Sequence, residues 1–403
     1  MSGETMDLVL RSDEAIDLSE AALVRLSHDL HDNPELAFEE VNSSRRVFEL
    51  LESHGFAVEP GFVGVPTAFR ATFGDGADTV TICCEYDALP DIGHACGHNL
   101  IAASGVGAAI GLATVATDLD LTIEVLGTPA EERGAAKTIL IKRGAWDECL
   151  ISLMVHPGPG HNWDPVQDVS MIGKDRFRVT FTGRASHAAA APEKAINAAD
   201  AATVAQVAVG LMRQQLVDGV RVSCFVSRGG EVTNIIPSCT VLEVEARARS
   251  LDDLEDVKTK LMRCFEGAAL ATGCEWSFEE SEPRCEPVLN SPILGQFWNQ
   301  SMEELGRSIS RGGQKVGGST DMGNVSGRVE SLHSMIGVPG TAAPIHSEAF
   351  AAAAATKEAD LLLVDAAKAL ARTVILSMGD ESVRNQLRKL KYSRPLPSSL
   401  WGG

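Results

Sequence analysis

Positive charge is scarce in this chain of 403 residues, where 35 lysines and arginines stand against 55 aspartates and glutamates for a formal net charge of −20. Spread along the chain, that excess disfavours nucleic acid or an anionic membrane surface as a general partner. The one basic concentration, "RNQLRKLKYSRPLPSS" with Arg384, Arg388, Lys389, Lys391 and Arg394, reads as a solvated or packed tail. A basic leader followed by an apolar core is missing too: "MSGETMDLVLRSDEAIDL" is acidic, so export by the general secretory route is not expected and a cytoplasmic protein is.

Other absences narrow the chemistry. There is no internal repeat. The nine cysteines are odd in number, and the adjacent Cys83 and Cys84 do not have the spacing of a disulfide framework, which fits reduced thiols. Without a C-x-x-C pair, a redox or thiol-transfer enzyme built on Cys96 would lack a resolving cysteine. Gly105 and Gly107 hint at a nucleotide loop, but position 110 is Ile110 and G-x-G-x-x-G is not met. Between Asp91 and Asp118 no charged residue occurs, yet "LIAASGVGAAIGLATVA" is built mostly of alanine and glycine. Small residues suit a helix packed closely inside a soluble domain better than a membrane span.

What is present is an ordinary globular composition, 44% apolar and 22% charged, in a chain long enough for two domains. The first seventy residues read as helices. "SEAALVRLSHDLHDN" has helical spacing with Ser19 as its N-cap and Pro34 after its end, and "EEVNSSRRVFELLESHG" repeats the pattern up to Gly55. Then "TVTICCEYDA", "LTIEVLGTPAEE" and "CLISLMVHPGPG", short β-branched runs separated by helical stretches, predict βαβ units and a largely parallel sheet. From about residue 172 the order changes to strand, helix, strand, strand, helix, strand, the split βαβ pattern of a small α+β domain. The expected organisation is an α/β domain over 1–171 and 287–403 with a ferredoxin-like α+β domain inserted over 172–286.

Polar residues fall where the strands end: Asp87, then Cys96 and His98; Glu131 and Glu132; His156. Open α/β sheets place their sites at the carboxyl ends of strands, so acid, thiol and imidazole can converge there. Cysteine, histidine and carboxylate suit a divalent ion such as Zn²⁺. By itself "CGH" is more often a buried thiol beside a satisfied histidine than a ligand pair, and the bland reading of Glu131-Glu132 is a solvated helix start. Two adjacent carboxylates at a strand end, if buried, call for a cation.

The blocks "EYDALPDIGHACGHN", "GTPAEE", "VHP", "GRASHAAAAPEKAINAADA", "NIIP" and "PIHSEAF" resemble, in order and spacing, the M20 metallopeptidase family. The likeness is to its amidohydrolase branch of aminobenzoyl-glutamate hydrolases, N-acyl-amino-acid hydrolases and dipeptidases, and it covers nearly the whole chain. The resemblance implies two divalent metal ions, zinc or manganese, with Cys96 in the bridging place and His98, Glu132, His156 and His346 as the other ligands. It implies Glu131 as general base and Asp87 as the acid that orients a ligand. His187 matches a histidine that reaches a substrate in a neighbouring subunit's site, so a homodimer is implied through the inserted domain. Asn234 matches a substrate contact, and Gly318 in "GGSTDMGN" the region around the substrate's carboxylate; Arg247, Arg249 and Arg311 read rather as solvated or structural charges. One departure is that many members carry a ligand histidine where this chain has Glu85, which reads as a structural carboxylate. His94 is left out of the ligand set. The implied activity is hydrolysis of an amide bond in an N-acyl or aroyl amino acid or a small dipeptide. The alternative is a non-enzymatic metal-dependent binding protein on the same fold, against which the intact Glu131 argues.

Overall fold

The structure is a computed structural model, and it describes residues 3–166, 171–311 and 317–393. The chain forms two compact units, one made of Met1–Val169, Val288–Val316 and Asn324–Gly403, the other of Ser170–Pro287 with Gly317–Gly323.

The first unit opens with α1 (Gly3–Asp32), α2 (Val41–Ser53), β1 (Ala57–Pro60), β2 (Phe69–Phe73) and β3 (Asp78–Cys84). It continues through α3 (His98–Ala113), β4 (Leu121–Gly127), α4 (Ala136–Lys142), β5 (Cys149–Pro159) and the two-residue β6 (Asn162–Trp163). The second unit holds β7 (Gly173–Thr182), α5 (Ala198–Met212), β8 (Arg221–Arg228), β9 (Cys239–Ala248), α6 (Leu251–Thr272) and β10 (Glu275–Glu280). The chain then runs through α7 (Pro292–Glu304), β11 (Ile309–Ser310), α8 (Met322–Ser326), β12 (Glu330–Val338), α9 (Glu348–Ala353), α10 (Lys357–Met378) and α11 (Glu381–Ser393).

Six strands of the first unit form one sheet in the order β1-β2-β4-β3-β5-β12. Its β4, β3, β5 and β12 are mutually parallel, while β2 and β1 run antiparallel at the edge. The uncharged helix α3 is buried along all but its last residue. It packs against β3, β4 and β5 on one side and against α1 and α10 on the other, a position that tolerates alanine and glycine and no charge. No helix of the described residues is long and apolar enough to cross a membrane.

Two expectations need correction. Ser19 is not an N-cap: it lies in the middle of the 30-residue α1, buried, with its Oγ donating to the carbonyl of Ala15 one turn back. The helix continues N-terminally because Leu8, Val9, Ser12, Asp13 and Ile16 extend the buried stripe. The first seventy residues are not all helical, since β1 pairs with β2 from Ala57↔Thr72 to Pro60↔Phe69. The basic tail is partly a packed helix: Arg384 and Arg388 of α11 both bond Asp78 at the start of β3, and Arg384 Nη1 also donates to Leu119 O at 2.7 Å. Arg394 lies outside the described residues.

In the second unit the sheet order is β10-β7-β9-β8, all neighbours antiparallel. Phe177, Val179 and Phe181 of β7 alternate inward onto Leu254, Val257, Leu261 and Phe265 of α6, and the other sheet face carries charge.

Candidate metal centre

Parallel pairing in register brings the strand ends level. Cys84 of β3 lies opposite Gly127 of β4, and Thr128 N–H donates to Cys84 O at 2.8 Å. Both chains therefore leave the sheet at one edge, β3 towards Glu85 and Asp87, β4 towards Glu131 and Glu132. His156 lies near the same end of β5, where it pairs with Met335 of β12, and His346 follows β12. Four parallel strands thus deliver the candidate residues of the first unit to one place.

Local backbone devices then aim them. Gly97 sits at φ 78 just before α3, with the Cγ of Pro157 only 2.5 Å from where a Cβ would be, so only glycine lets Cys96 and His98 approach β5. Ala130 and His346 hold left-handed backbone, φ 56 and φ 64, which non-glycine residues keep only where the surroundings impose it. The Ala130 N–H donates to Glu40 Oε1 at 2.8 Å and the His346 N–H to Ala95 O at 2.8 Å.

All three imidazoles present Nε2. His98 Nδ1 is 3.0 Å from Asp87 Oδ1, and His156 Nδ1 is 2.7 Å from Pro157 O, so each ring directs its other nitrogen inward. Cys96 Sγ lies 3.4 Å from His156 Nε2 and 3.4 Å from His346 Nε2. Glu132 Oε1 is 3.3 Å from His346 Nε2 and 3.9 Å from His98 Nε2, and Glu131 Oε2 is 4.0 Å from His98 Nε2. Asp87 Oδ2 also accepts from the Glu132 N–H at 2.9 Å. Three groups of potential ligand atoms result, Cys96-His98-His156, Cys96-Glu132-His346 and His98-Glu131-Glu132.

These residues fit divalent ions. Two ligands of one tetrahedral ion, sulfur at ~2.3 Å and nitrogen at ~2.0 Å, lie about 3.5 Å apart, close to the Cys96 distances. His98 Nε2 is buried without a hydrogen-bond partner, a costly state that a cation removes. Electrostatics speak against a redox thiol. Burial, reinforced by Glu132, pushes the Cys96 thiol well up, the opposite of what a reactive thiolate needs. Burial also works against the charged form of Glu132, but His346 and His98 outweigh it and hold the carboxyl down.

Burial pushes His94 down to about 3, and His94 belongs to none of the ligand groups among the described residues. Sequence reasoning missed three buried neighbours. Glu40 is driven up to about 7 by burial and then by the charge of Asp87. His333 on β12 is tilted against His156 at 5.9 Å between centroids. Lys137 Nζ lies 2.5 Å from Glu85 Oε1, both side chains fully buried.

Three candidates lie in the second unit. His187 Nδ1 accepts from the N–H groups of Ala189 and Ala190, both at 3.2 Å, so its proton sits on Nε2. The carbonyl of Asn234 accepts from the Ala188 N–H at 2.9 Å, and that of Gly318 from the Ile172 N–H at 2.9 Å. Arg247 pairs with Glu245 and reaches Gly317 O at 3.2 Å and Ser319 Oγ at 3.3 Å, whereas Arg311 pairs with Glu303 in solvent.

Residues 171–272 match the family model of the peptidase dimerisation domain called M20_dimer. The chain is 38% identical over 383 residues to the Xaa-Arg dipeptidase of Mus musculus, covering 91% of this chain and 88% of the relative. It belongs to the M20 family. Over 316 residues it is 27% identical to a p-aminobenzoyl-glutamate hydrolase chain of Escherichia coli K12, covering 73% of this chain and 64% of that one. A Bacillus subtilis protein described as a dinuclear metal-binding peptidase of the M20 family superposes with TM-score 0.70 at 22% identity, covering 90% of this chain and 99% of its own. The M20 chain is accordingly a metallopeptidase-type hydrolase of amide bonds, on a mostly parallel α/β fold.

Proposed function

We propose that this M20 chain hydrolyses a dipeptide or N-acyl amino acid at the Cys96-centred cluster, with a dipeptide ending in arginine the first substrate to try. The observation that carries the reading is Cys96, which stands 3.4 Å from two imidazoles and belongs to two of the three ligand groups, the arrangement a bridging thiolate needs. The 38% identity to an Xaa-Arg dipeptidase supports the choice of substrate.

His98, Glu132, His156 and His346 would complete the ligand set, with Zn²⁺ the first candidate and Mn²⁺ the second. When bound, the ions supply Lewis acidity, polarising the amide carbonyl and acidifying a water. Glu131 takes the water's proton and returns it to the departing amine. Asp87 holds His98 with Nε2 inward. His187, its Nδ1 occupied by two backbone donors, would offer Nε2–H to the developing oxyanion of a substrate in the partner subunit's site. Asn234 and Gly318 contact the substrate away from the scissile bond.

A cytoplasmic homodimer through the second unit completes the proposal. Val204, Val207 and Leu211 form an exposed apolar row on α5, and β8 is an edge strand bearing the exposed Phe225. The match to a dimerisation domain supports this use.

The test is Glu131→Gln on metal-loaded protein, with release of free arginine from Xaa-Arg dipeptides as the assay. Turnover should fall about 10²- to 10⁴-fold while metal content and unfolding midpoint stay at the wild-type values. Near wild-type turnover would remove Glu131 from its role.

A further inference from the structure

We propose that Lys137 is a positioning residue whose ammonium holds the Glu85 carboxylate out of the coordination sphere of the metal centre. The inference rests on the two-metal reading above. Lys137 Nζ and Glu85 Oε1 are 2.5 Å apart and both side chains are 0% exposed. The other carboxylate oxygen, Oε2, is buried without a hydrogen-bond partner, 3.5 Å from His98 Nε2. His98 Nε2 is the nitrogen turned towards the cluster, because Nδ1 is taken by Asp87.

That spacing is suggestive. Neighbouring ligands on a tetrahedral ion with bonds of ~2.1 Å are about 3.4 Å apart, so Glu85 Oε2 stands one side-chain adjustment from being a ligand itself. Yet Glu85 belongs to none of the ligand groups among the described residues. The contact that draws it away is Lys137, the second residue of α4, five residues beyond Glu132. The segment from Glu131 into α4 therefore delivers both the adjacent carboxylates and the cation that restrains Glu85.

Charge balance points the same way. Glu85, Asp87, Cys96 as thiolate, Glu131 and Glu132 are five anionic groups. Two divalent ions and the Lys137 ammonium neutralise them. Without the ammonium, the nearest cation for Glu85 is a metal ion, and an extra carboxylate ligand would occupy a position that water or substrate needs.

The experiment uses the full chain, chelated and reloaded with Co²⁺ as a spectroscopic probe, as wild type, Lys137→Met, Glu85→Gln and the double variant. Lys137→Met should shift the visible Co²⁺ absorption towards a higher coordination number. It should also tighten one Co²⁺ by about 10-fold or more and lower turnover about 10- to 100-fold, the range typical of residues one contact removed from a metal. The double variant should restore the wild-type spectrum, since a neutral amide is drawn much less to a cation. A merely structural lysine would leave the spectrum alone. If Lys137→Met is unfolded without metal, Co²⁺ should refold it with the shifted spectrum, and failure to do so while the double variant folds would overturn the proposal. A wild-type spectrum in folded Lys137→Met overturns it equally, leaving the two-metal reading intact. A wild-type protein that takes up no Co²⁺ sinks that reading and the clamp with it.

Discussion

Two acid–base pairs, one in each unit, have the same chemistry in opposite surroundings. On the open sheet face of the second unit, Arg178 spans from β7 to Glu243 on β9 and Glu279 on β10, at 2.8 Å each, in a solvated row with Arg176, Glu245 and Arg247. In the first unit Lys137 meets Glu85 with no exposure at all. The solvated pairs gain little over hydration and decorate a sheet whose stability comes from its other face. The buried pair has lost its water, which attraction inside the protein only partly offsets, so its presence points to a requirement for geometry at the site.

The comparison can be broken in order of expected effect. In chelated protein, Lys137→Ala should cost about 3 to 5 kcal/mol, because a buried carboxylate is left without its cation; a urea midpoint unchanged from wild type would erase the distinction between the two pairs. Next is Glu40, whose carboxyl is held up to about 7 from an ordinary 4.5 by burial and the Asp87 charge. Between those values the folded chain keeps a proton that the unfolded chain has lost, so this term is fully present below about pH 4.5 and is lost as pH rises through 7. At ~1.4 kcal/mol per pH unit, the loss amounts to roughly 3 kcal/mol. Glu40→Gln, which keeps an acceptor for Ala130 N–H, should flatten that slope in chelated protein, and an unaltered slope would assign it elsewhere. Leu211→Glu, in the exposed row of α5, should convert the proposed dimer to monomer in sedimentation without loss of fold. Smallest of all, Arg178→Ala should leave the unfolding midpoint where it was.

The fold was legible where local pattern and tertiary position agree. The β-branched runs that became β3, β4 and β5 alternate with helices, as a parallel sheet demands, and the acid, thiol and imidazole groups stand at their ends. The antiparallel edge was hidden because "AVEP" and "FRATF" are short and carry exposed or half-buried polar positions. Ser19 looked like a cap because its hydroxyl satisfies a helical carbonyl as readily as a terminal N–H. Lys137 stands in the helical run "AAKTILIK", where nothing near it in sequence reveals an acid 52 residues away. Glu40 is alike: its partner at Ala130 is 90 residues on. Local periodicity reports which face is apolar and does not report which polar side chain will be buried by a distant partner.

One contact also bears on how the molecule is made. Cys96 and His346 face each other across 250 residues of chain, and β12, which leads into His346, pairs in register with β5 from Ile151 to Pro159, from beyond the second unit in sequence. Contacts so distant in sequence are entropically the slowest to form. As the chain emerges during synthesis, Cys96, His98, Glu132 and His156 come first, then the whole second unit, and His346, the last of the proposed ligands, after it. The proposed centre is therefore completed only once β12 docks, and on that reading full loading with metal is a checkpoint of finished folding.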